Sequence, residues 1–417
     1  MTIHENRPGL AWLVLPVVIG LLLRTIWALL VPVELVSDCS IYHTGATQIA
    51  AGNGFAFEDG SSNGYWPAGY SAFLSVFYRI FGSSVAVAVT VNVLLSTLFI
   101  ASTAWLARSL FGSRTAAISA WVVALYPGLI AYTTAVASEN LFLPLLTLIA
   151  LAAVSPRVGF ALLGGSAAVA LAIAVRPTAL LLPALFFIGA FHLGLSWRAG
   201  VVRTLAVGAL ALVFCYPVAE RNERIFGEFS YTSFNGGAVL WMGNHDGPPT
   251  TDLPEYVAAL DVVERNAVLK QEAVEFIRAK PLLFARRSVE RVITALSSET
   301  IPIVWNPALA RALGDRTAKL AKLTVTVAWG LLFATSTVGF LVYARTRPWP
   351  ILLLLTGVAL NAIPFVLFDS QNRYHLPLLP FLFPVAAVAL GRMSALRGGF
   401  EITPTRIEAP LGQGAAR

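Results

Sequence analysis

Ten long runs of predominantly apolar residues limit the fold of this chain more than any other feature. A helix that crosses the hydrocarbon core of a bilayer needs about 20 mostly apolar residues. Only 12% of the 417 residues are charged, against about 25% in soluble proteins, so lipid must be the main solvent. We therefore expect an all-α polytopic membrane protein with about ten transmembrane helices. The runs cover approximately residues 10–31, 84–107, 116–136, 140–154, 158–175, 178–195, 200–218, 320–344, 349–367 and 375–391.

The same composition excludes several classes of protein. Disordered chains and cytosolic enzymes do not reach 57% hydrophobic residues. Cys39 and Cys215 are far apart, and no CxxC or Cys/His cluster indicates a zinc site. Both cysteines fall near the predicted outer face, but we do not expect a disulfide between them. The net charge of +7 fits arginines in loops, and no basic stripe with interleaved aromatic residues indicates nucleic acid as a partner.

The distribution of arginine predicts the orientation in the membrane. Cytoplasmic loops of membrane proteins carry an excess of Lys and Arg. With the N-terminus in the cytoplasm, the first outside loop, 32–67, contains four acidic residues and no Lys or Arg. We read the run 10–31 as an uncleaved anchor and expect a multi-pass protein of the bacterial cytoplasmic (inner) membrane with both termini inside. The arginines then placed inside are Arg108, Arg114, Arg157, Arg198, Arg203, Arg345, Arg347, Arg392, Arg397 and Arg406.

Charge density divides the chain into four segments. One polar stretch holds 13 acidic and 11 basic residues and lies outside on this topology. The segments are an N-terminal transmembrane module, 1–218, with its first outer loop at 32–82; an extracytoplasmic insert, 219–318; C-terminal transmembrane helices, 319–397; and a mobile cytoplasmic tail, 398–417.

Three shorter segments predict helices outside the long runs. Residues 255–279 carry an apolar stripe at helical spacing, consisting of Val257, Leu260, Val263, Ala267, Val274 and Ile277. Residues 282–297 repeat this character with three arginines beside the stripe, so this helix lies either on the membrane surface or against the bundle. Residues 68–82 are apolar but short, which leaves an interfacial or re-entrant helix, or an extension of the second span.

The first outer loop contains the candidate catalytic residue. Ser37 is a plausible N-cap and Gly52 a plausible C-terminal stop, which predicts a short helix with Asp38 in its first turn. The helix dipole favours a carboxylate at that position. Asp38 is therefore a candidate general base. The alternative is that Asp38 only caps the helix.

Further polar and aromatic residues fall on the same predicted face, although a protein that only spanned the membrane would not need them. Ionisable groups at membrane depth are costly and often mark a site. Aromatic rings and amides suit a sugar, and guanidinium groups suit a phosphate. The structural alternatives are an aromatic belt, a helix N-cap, an arginine that snorkels to the surface and a structural histidine. The candidate substrate-binding residues are Tyr42, Tyr70, Glu139, Arg176, Asn244, His245, Arg373 and Tyr374.

Together these motifs resemble the integral-membrane glycosyltransferases of the GT-C fold. The most similar group is the bacterial family related to protein O-mannosyltransferases and lipid A aminoarabinose transferases, which is glycosyltransferase family 39-like. Each motif is short, and the resemblance rests on their order and sidedness across most of the chain. The motifs are Asp38 to Phe55, Trp66-Pro67-Ala68-Gly69-Tyr70, Tyr126-Pro127-Gly128, Ser138-Glu139-Asn140, Arg176-Pro177, Asn235 to Gly247, and Arg373-Tyr374-His375-Leu376-Pro377.

The resemblance implies an extracytoplasmic active site and a polyprenyl-phosphate-linked sugar as donor. It also implies a catalytic acid in the first outer loop, at Asp38. Many family members carry a second acid directly after the first, where this chain has Cys39. Some relatives bind a divalent cation near this loop, and the candidate ligands here are Glu58, Asp59 and His245. The acceptor would be a glycan, a lipid or a protein.

The expected chemistry needs few residues. A sugar on a lipid phosphate already carries a leaving group, so inverting transfer needs one base for the acceptor hydroxyl and cations for the departing phosphate. Asp38 is the expected base, and Arg176 and Arg373 are the expected cations. Two alternatives stay open: a flippase or transporter for a lipid-linked sugar, and a polymerase or ligase that moves a whole glycan.

Overall fold

The chain folds into helices joined by loops. The computed structural model describes residues 11–397, and the predicted tail at 398–417 lies outside this range. The described residues contain one isolated β-bridge, between Ala56 and Ser62. The helices are α1 (Ala11–Leu30), α2 (Asp38–Ala51), α3 (Gly69–Phe81), α4 (Val85–Phe111), α5 (Ser113–Leu125), α6 (Pro127–Tyr132), α7 (Glu139–Ala153), α8 (Gly165–Val175), α9 (Ala184–His192), α10 (Trp197–Phe226), α11 (Gly236–Gly243), α12 (Val262–Ala279), α13 (Pro281–Ser297), α14 (Ile301–Val304), α15 (Pro307–Tyr343), α16 (Pro348–Leu367) and α17 (Leu379–Arg397).

The expected polytopic all-α architecture is confirmed. Within residues 11–397, six helices are long and apolar enough to cross a membrane, namely α1, α4, α10, α15, α16 and a segment that includes most of α17. Three shorter apolar segments, Ser113–Leu125, Glu139–Ala153 and Phe160–Val175, fall on further predicted runs. At 1.5 Å per residue these helices are shorter than a hydrocarbon core of about 30 Å. The number of ten spans therefore stays a prediction.

A proline ends α5 early, and a buried arginine satisfies the end of the helix. Pro127 has no N–H, so α5 ends before it and releases carbonyl groups at its C-terminus. Arg24 on α1 is fully buried and donates to the carbonyls of Val123 at 3.1 Å and Ala124 at 2.9 Å, and to Ser96 Oγ at 2.7 Å. Arg24 thus satisfies the end of a broken helix inside the bundle.

The predicted helix in the first outer loop is present as α2. Its C-cap Gly52 has φ 91°, a left-handed conformation that glycine adopts without strain. Ser37 is at the N-cap as expected, but its side chain makes no capping hydrogen bond and its φ is 51°. A positive φ is unusual for serine, so the residue just before Asp38 has a strained backbone. The short apolar segment 68–82 forms the separate helix α3.

The polar insert is mostly helical, and its apolar faces differ from the expected stripes. Only Val257 of the predicted stripe is fully buried, because α12 begins at Val262, after a short 3₁₀ turn. The buried residues of α12 are Leu269, Ala273 and Phe276. On α13 two arginines are buried and three large apolar side chains are exposed, whereas Val292 and Leu296 are partly buried against the core. The buried arginines are Arg287 and Arg291, and the exposed apolar residues are Leu282, Val289 and Ile293.

Candidate functional site

One large cavity lies where the first outer loop, the insert and the end of α16 meet. Its volume is about 1320 Å³, which exceeds the 300–1,000 Å³ of most small-molecule sites. Charged side chains line one part, and apolar side chains of α16 and of the segment after Arg176 line another. The polar and aromatic lining includes Asp38, Tyr42, Tyr65, Trp66, Arg176, Asp261, Arg265, Asp369, Arg373 and Tyr374.

Two acids and two arginines form a connected charged cluster at this cavity. Arg373 donates to Asp38 Oδ2 at 2.7 Å, and Arg176 donates to Glu139 Oε1 at 2.5 Å. Arg373 also lies 3.8 Å from Glu139 Oε1. Asp38, Arg176 and Arg373 line the cavity, whereas Glu139 lies behind them with a side chain 1% exposed. The arrangement places two guanidinium groups and one carboxylate where a ligand can reach them.

Helix ends position three of these four groups. Asp38 is the first residue of α2, Glu139 is the first residue of α7, and Arg176 follows the last residue of α8. Arg373 lies in the loop between α16 and the last helix. Helix ends leave backbone groups unpaired, and a carboxylate at an N-terminus is favoured by the helix dipole. The fold therefore gathers these residues at one end of the bundle.

The electrostatics of Arg373 reflect opposing effects. Burial lowers the pKa of Arg373, but Glu139 and Asp38 outweigh it and hold the pKa well above its usual value. Its guanidinium also lies over the Trp305 ring, 4.4 Å from the centroid. Arg373 is therefore a permanent, rigidly held cation. Burial raises the pKa of the nearby Asp369 carboxyl.

The three candidate tyrosines occupy different layers. Tyr42 and Tyr374 line the cavity. Tyr70 is fully buried behind Tyr42, with an edge-to-face contact at 5.4 Å between ring centroids. The Tyr70 hydroxyl donates to Asn92 Oδ1 at 2.7 Å. Tyr70 therefore supports Tyr42 from behind and does not reach the cavity.

Asn244 and His245 are not among the residues that line the cavity. Asn244 donates to the carbonyls of Leu240 and Leu367, both at 2.8 Å. The His245 ring stacks on Trp241, with 4.0 Å between centroids. The Asn244 side chain therefore joins the insert to α16, whereas the His245 side chain packs within the insert.

The candidate metal ligands are dispersed. Glu58 and Asp59 are exposed and do not line the cavity. Within residues 11–397, no group of three or more His, Cys, Asp or Glu side chains is placed to hold a metal ion. Cys39, which stands where the resemblance expects a second acid, is buried, and burial followed by the Asp38 charge raises the pKa of its thiol to about 12. Cys39 and Cys215 are both free.

Several residues near the site were not among the candidates. Asp369 and Arg265 line the cavity. The dense run of polar residues at 369–375 could have indicated Asp369 as a candidate. Nothing in the sequence distinguishes Arg265 from the other charged residues of the insert. Glu299 is fully buried and accepts a hydrogen bond from the Tyr126 hydroxyl. Burial raises the pKa of Glu299 to about 8.

The loop that holds Arg373 is fastened close to Glu299. Asn372 donates to Ser298 Oγ at 3.1 Å and to Thr300 Oγ1 at 2.7 Å, on either side of Glu299. The neighbouring His375 contacts the Ala295 carbonyl through Nδ1 at 2.8 Å. These bonds fix the loop that positions Arg373 to the segment on either side of Glu299.

Comparison with known proteins identifies the fold. No protein-family model matches the sequence, and no curated protein matches it at a significant level. The structure is similar to oligosaccharyltransferase AglB from Archaeoglobus fulgidus in complex with an inhibitory peptide and a dolichol-phosphate, with a TM-score of 0.56, 15% identity, and coverage of 96% of this chain and 53% of that one. A crystal structure of an Archaeoglobus fulgidus oligosaccharyltransferase in complex with Zn and sulfate gives a TM-score of 0.55, 16% identity, and coverage of 93% of this chain and 50% of that one.

A third similar structure is ArnT from Cupriavidus metallidurans bound to undecaprenyl phosphate, with a TM-score of 0.43, 16% identity, and coverage of 94% of this chain and 80% of that one. The present chain spans about half the length of the oligosaccharyltransferase. At such low identity the likeness to AglB shows the fold alone. The expected GT-C-like membrane fold is confirmed.

Proposed function

We propose that this protein is a membrane glycosyltransferase that moves a sugar from a polyprenyl-phosphate donor to an acceptor hydroxyl, with inversion and with Asp38 as general base. The observation that carries the proposal is the cavity in which Asp38 faces the same space as Arg176 and Arg373. The fold supports it, since the similar AglB structure was determined with a dolichol-phosphate.

The two arginines fit a phosphate leaving group. The buried Nε of Arg176 has no hydrogen-bond partner among the described residues. A buried donor without a partner is costly, and an oxyanion in the cavity would satisfy it. As the bond between the anomeric carbon and the phosphate oxygen breaks, Arg176 and Arg373 stabilise the charge that develops on the phosphate.

Asp38 fits the role of the base. Its Oδ2 accepts from Arg373 at 2.7 Å. Oδ1 has no hydrogen-bond partner among the described residues, so we assign to it the proton of the acceptor hydroxyl. The acceptor oxygen then attacks the anomeric carbon from the side opposite the phosphate, which inverts the configuration. Cys39 cannot assist as a second carboxylate.

The geometry also supports a site on one face of the membrane. Asp38 follows α1, Glu139 begins α7 and Arg176 follows α8. Arg373 follows α16. Together with the arginine distribution, this placement leads us to propose the extracytoplasmic face of a bacterial cytoplasmic membrane.

The test is transfer of radiolabelled sugar in membranes that contain wild-type protein, Asp38→Asn or Asp59→Asn. Asp59 is an exposed acid of the same loop that does not line the cavity, so it controls for the loss of a charge. A panel of polyprenyl-phosphate sugars is supplied, and label is followed into lipid, glycan and protein fractions. We expect Asp38→Asn to lower the rate about 10²–10⁴-fold and Asp59→Asn to leave it unchanged.

Equal transfer by wild type and Asp38→Asn, at equal amounts of protein, would refute Asp38 as the base. If no sugar is transferred and the lipid-linked sugar moves across vesicle membranes, the protein is a flippase and not a transferase. Transfer from a glycan donor only would indicate the polymerase or ligase.

A further inference from the structure

A second, smaller cavity lies beside the first, between α3, α8 and α10. Its volume is about 180 Å³. Gly64, Trp66 and Pro67 line both cavities, so this segment forms the wall between them. Helix α8 packs against both α3 and α10 and contributes Leu171 and Ala174 to the floor. The proposed transfer reaction does not use this small cavity.

Arg221 lines the small cavity as a cation without a counter-ion. It is half-buried, and no carboxylate among residues 11–397 lies within 4 Å of it. Its hydrogen bonds all go to neutral oxygens: the Phe55 and Asn63 carbonyls, both at 3.2 Å, and Asn222 Oδ1 at 3.1 Å. Its guanidinium also lies 5.9 Å from the Phe55 ring centroid and 5.5 Å from that of Phe226, which do not neutralise its charge. A partly buried charge is costly unless it is paired, so an anion from outside the chain would stabilise Arg221.

Asn63 adds an unused donor to the same cavity. Its side chain is buried, with the residue 1% exposed. Oδ1 accepts from the backbone N–H groups of Tyr65 at 3.1 Å and Trp66 at 3.0 Å, whereas Nδ2 has no partner. Buried amide donors are normally satisfied, so Nδ2 points to an acceptor that a ligand provides. Asn63 Nδ2 and the Arg221 guanidinium thus offer two kinds of hydrogen-bond donor beside one cavity.

The depth of the site in the membrane identifies the source of the anion. Arg221 lies 24 residues along α10 from Trp197, which corresponds to about 36 Å. With Trp197 at the cytoplasmic interface, as the arginine distribution predicts, this distance exceeds the hydrocarbon thickness of about 30 Å and places Arg221 at the opposite headgroup level. Toward the membrane centre, Val213 and Tyr216 of α10 are exposed. Phe73 and Leu171 continue this apolar surface into the cavity.

We propose that this small cavity binds the phosphate headgroup of an anionic membrane lipid, with the phosphate oxygens on Arg221 and Asn63 and the start of the acyl chain along Phe73 and Leu171. Because Trp66 and Pro67 line both cavities, the bound lipid also supports one wall of the larger cavity. This site does not depend on the proposed transfer reaction.

The test is native mass spectrometry of the purified full-length protein in detergent, titrated with dioleoyl-phosphatidic acid, dioleoyl-phosphatidylcholine or inorganic phosphate. We compare wild type with Arg221→Gln and with Arg224→Gln, an exposed arginine one turn further along the same helix. We expect one tightly bound phosphatidic acid, at least tenfold weaker binding to Arg221→Gln, and unchanged binding to Arg224→Gln.

A second pair of variants tests the same cavity with Arg221 in place, so the test does not depend on the folding of Arg221→Gln. Ala72 is exposed and lines the small cavity, so Ala72→Phe fills it without removing a polar group. Val76→Phe, one turn further along α3, is the control. We expect only Ala72→Phe to lose the lipid. Any one of four results would overturn the proposal. Two concern the variants: an equal loss of binding in Arg224→Gln, or unchanged binding in both Arg221→Gln and Ala72→Phe. Two concern the ligands: equal affinity for phosphatidylcholine, or inorganic phosphate bound as tightly as phosphatidic acid.

Discussion

At the scale of single residues, Glu139 is the carboxylate on which the charged cluster depends. It pairs with Arg176 at 2.5 Å and lies 3.8 Å from Arg373, and it is buried behind both. Removing one partner of a buried ion pair leaves an uncompensated charge, which costs more than the pair gains. Glu139 therefore positions the two arginines and does not itself face the cavity.

We predict that Glu139→Gln destabilises the protein by about 3–5 kcal/mol and lowers transfer, because Arg176 then loses its paired carboxylate and Arg373 keeps only Asp38. Thermal unfolding in detergent measures the stability. Glu290→Gln is the control, since Glu290 forms an exposed pair with Arg286; exposed pairs contribute about 0–1 kcal/mol. A Tm of Glu139→Gln equal to that of Glu290→Gln would contradict this role.

Glu299 gives a prediction about pH. Its pKa in the folded protein is about 8, above the ordinary value of about 4.3. The folded state therefore retains the proton where the unfolded state has lost it, so stability falls as pH rises from about 5 to about 8 and then levels off. We expect Glu299→Gln to gain Tm relative to wild type across this interval, and no further gain above it. A constant difference in Tm from pH 5 to 9 would refute the proton on Glu299.

At the scale of helices, close contacts at glycine and at a helix break set the arrangement of the elements. A Cβ on Gly69, at the start of α3, would lie 2.4 Å from the backbone carbon of Ala174 in α8. Arg24 joins α1 to the broken end of α5. The first contact holds the segment before α3, which contains Trp66, close to Arg176. The second keeps the short helix α5 inside the bundle.

We predict that Gly69→Ala destabilises the protein by about 1–3 kcal/mol and lowers transfer, because backbone atoms cannot move aside as a side chain can. Gly236→Ala is the control, since a Cβ on Gly236 meets nothing within 4 Å. Thermal unfolding and transfer assays of both variants are the measurements. Equal Tm values for the two would show that α3 and α8 separate without cost.

We also predict that Arg24→Met destabilises the protein by several kcal/mol, since each carbonyl left unpaired costs about 1–3 kcal/mol. Arg198→Met, which removes an exposed arginine, should leave the Tm unchanged. Thermal unfolding again measures the effect. An unchanged Tm in Arg24→Met would mean that water or other groups satisfy the end of α5.

At the scale of the whole molecule, all four charged residues of the cluster lie at one end of the bundle. Six helices of the described chain can cross a membrane, and the cluster lies where α1, α8 and α16 end. The arginine distribution predicts that this end faces away from the cytoplasm. The orientation follows from charges spread over the sequence, not from any single contact.

Cysteine labelling in intact cells tests this orientation. Glu58 and Thr346 are exposed and lie at opposite predicted faces. We expect an impermeant thiol reagent to label Glu58→Cys before permeabilisation and Thr346→Cys only afterwards. The native cysteines are buried, so the unaltered chain is the control for background. The reverse pattern would invert the topology.

The sequence alone determined the structural features that depend on residues close together along the chain. The length of the apolar runs predicted membrane-spanning helices, because burial in lipid requires an internally hydrogen-bonded backbone, and six helices of the described residues are long and apolar enough to span. Ser37 and Gly52 predicted the ends of α2, and the order of polar residues predicted their common face. Asp38, Tyr42, Arg176, Arg373 and Tyr374 are brought together at one cavity.

Only the tertiary structure decided which side chains face the cavity and which support it. Tyr70 and Glu139 lie behind the surface, and His245 stacks within the insert. Glu299 meets Tyr126, 173 residues away in sequence. Helical spacing specifies the face of one helix, but a pair of this kind depends on how distant helices pack, and no local pattern in the sequence contains that information.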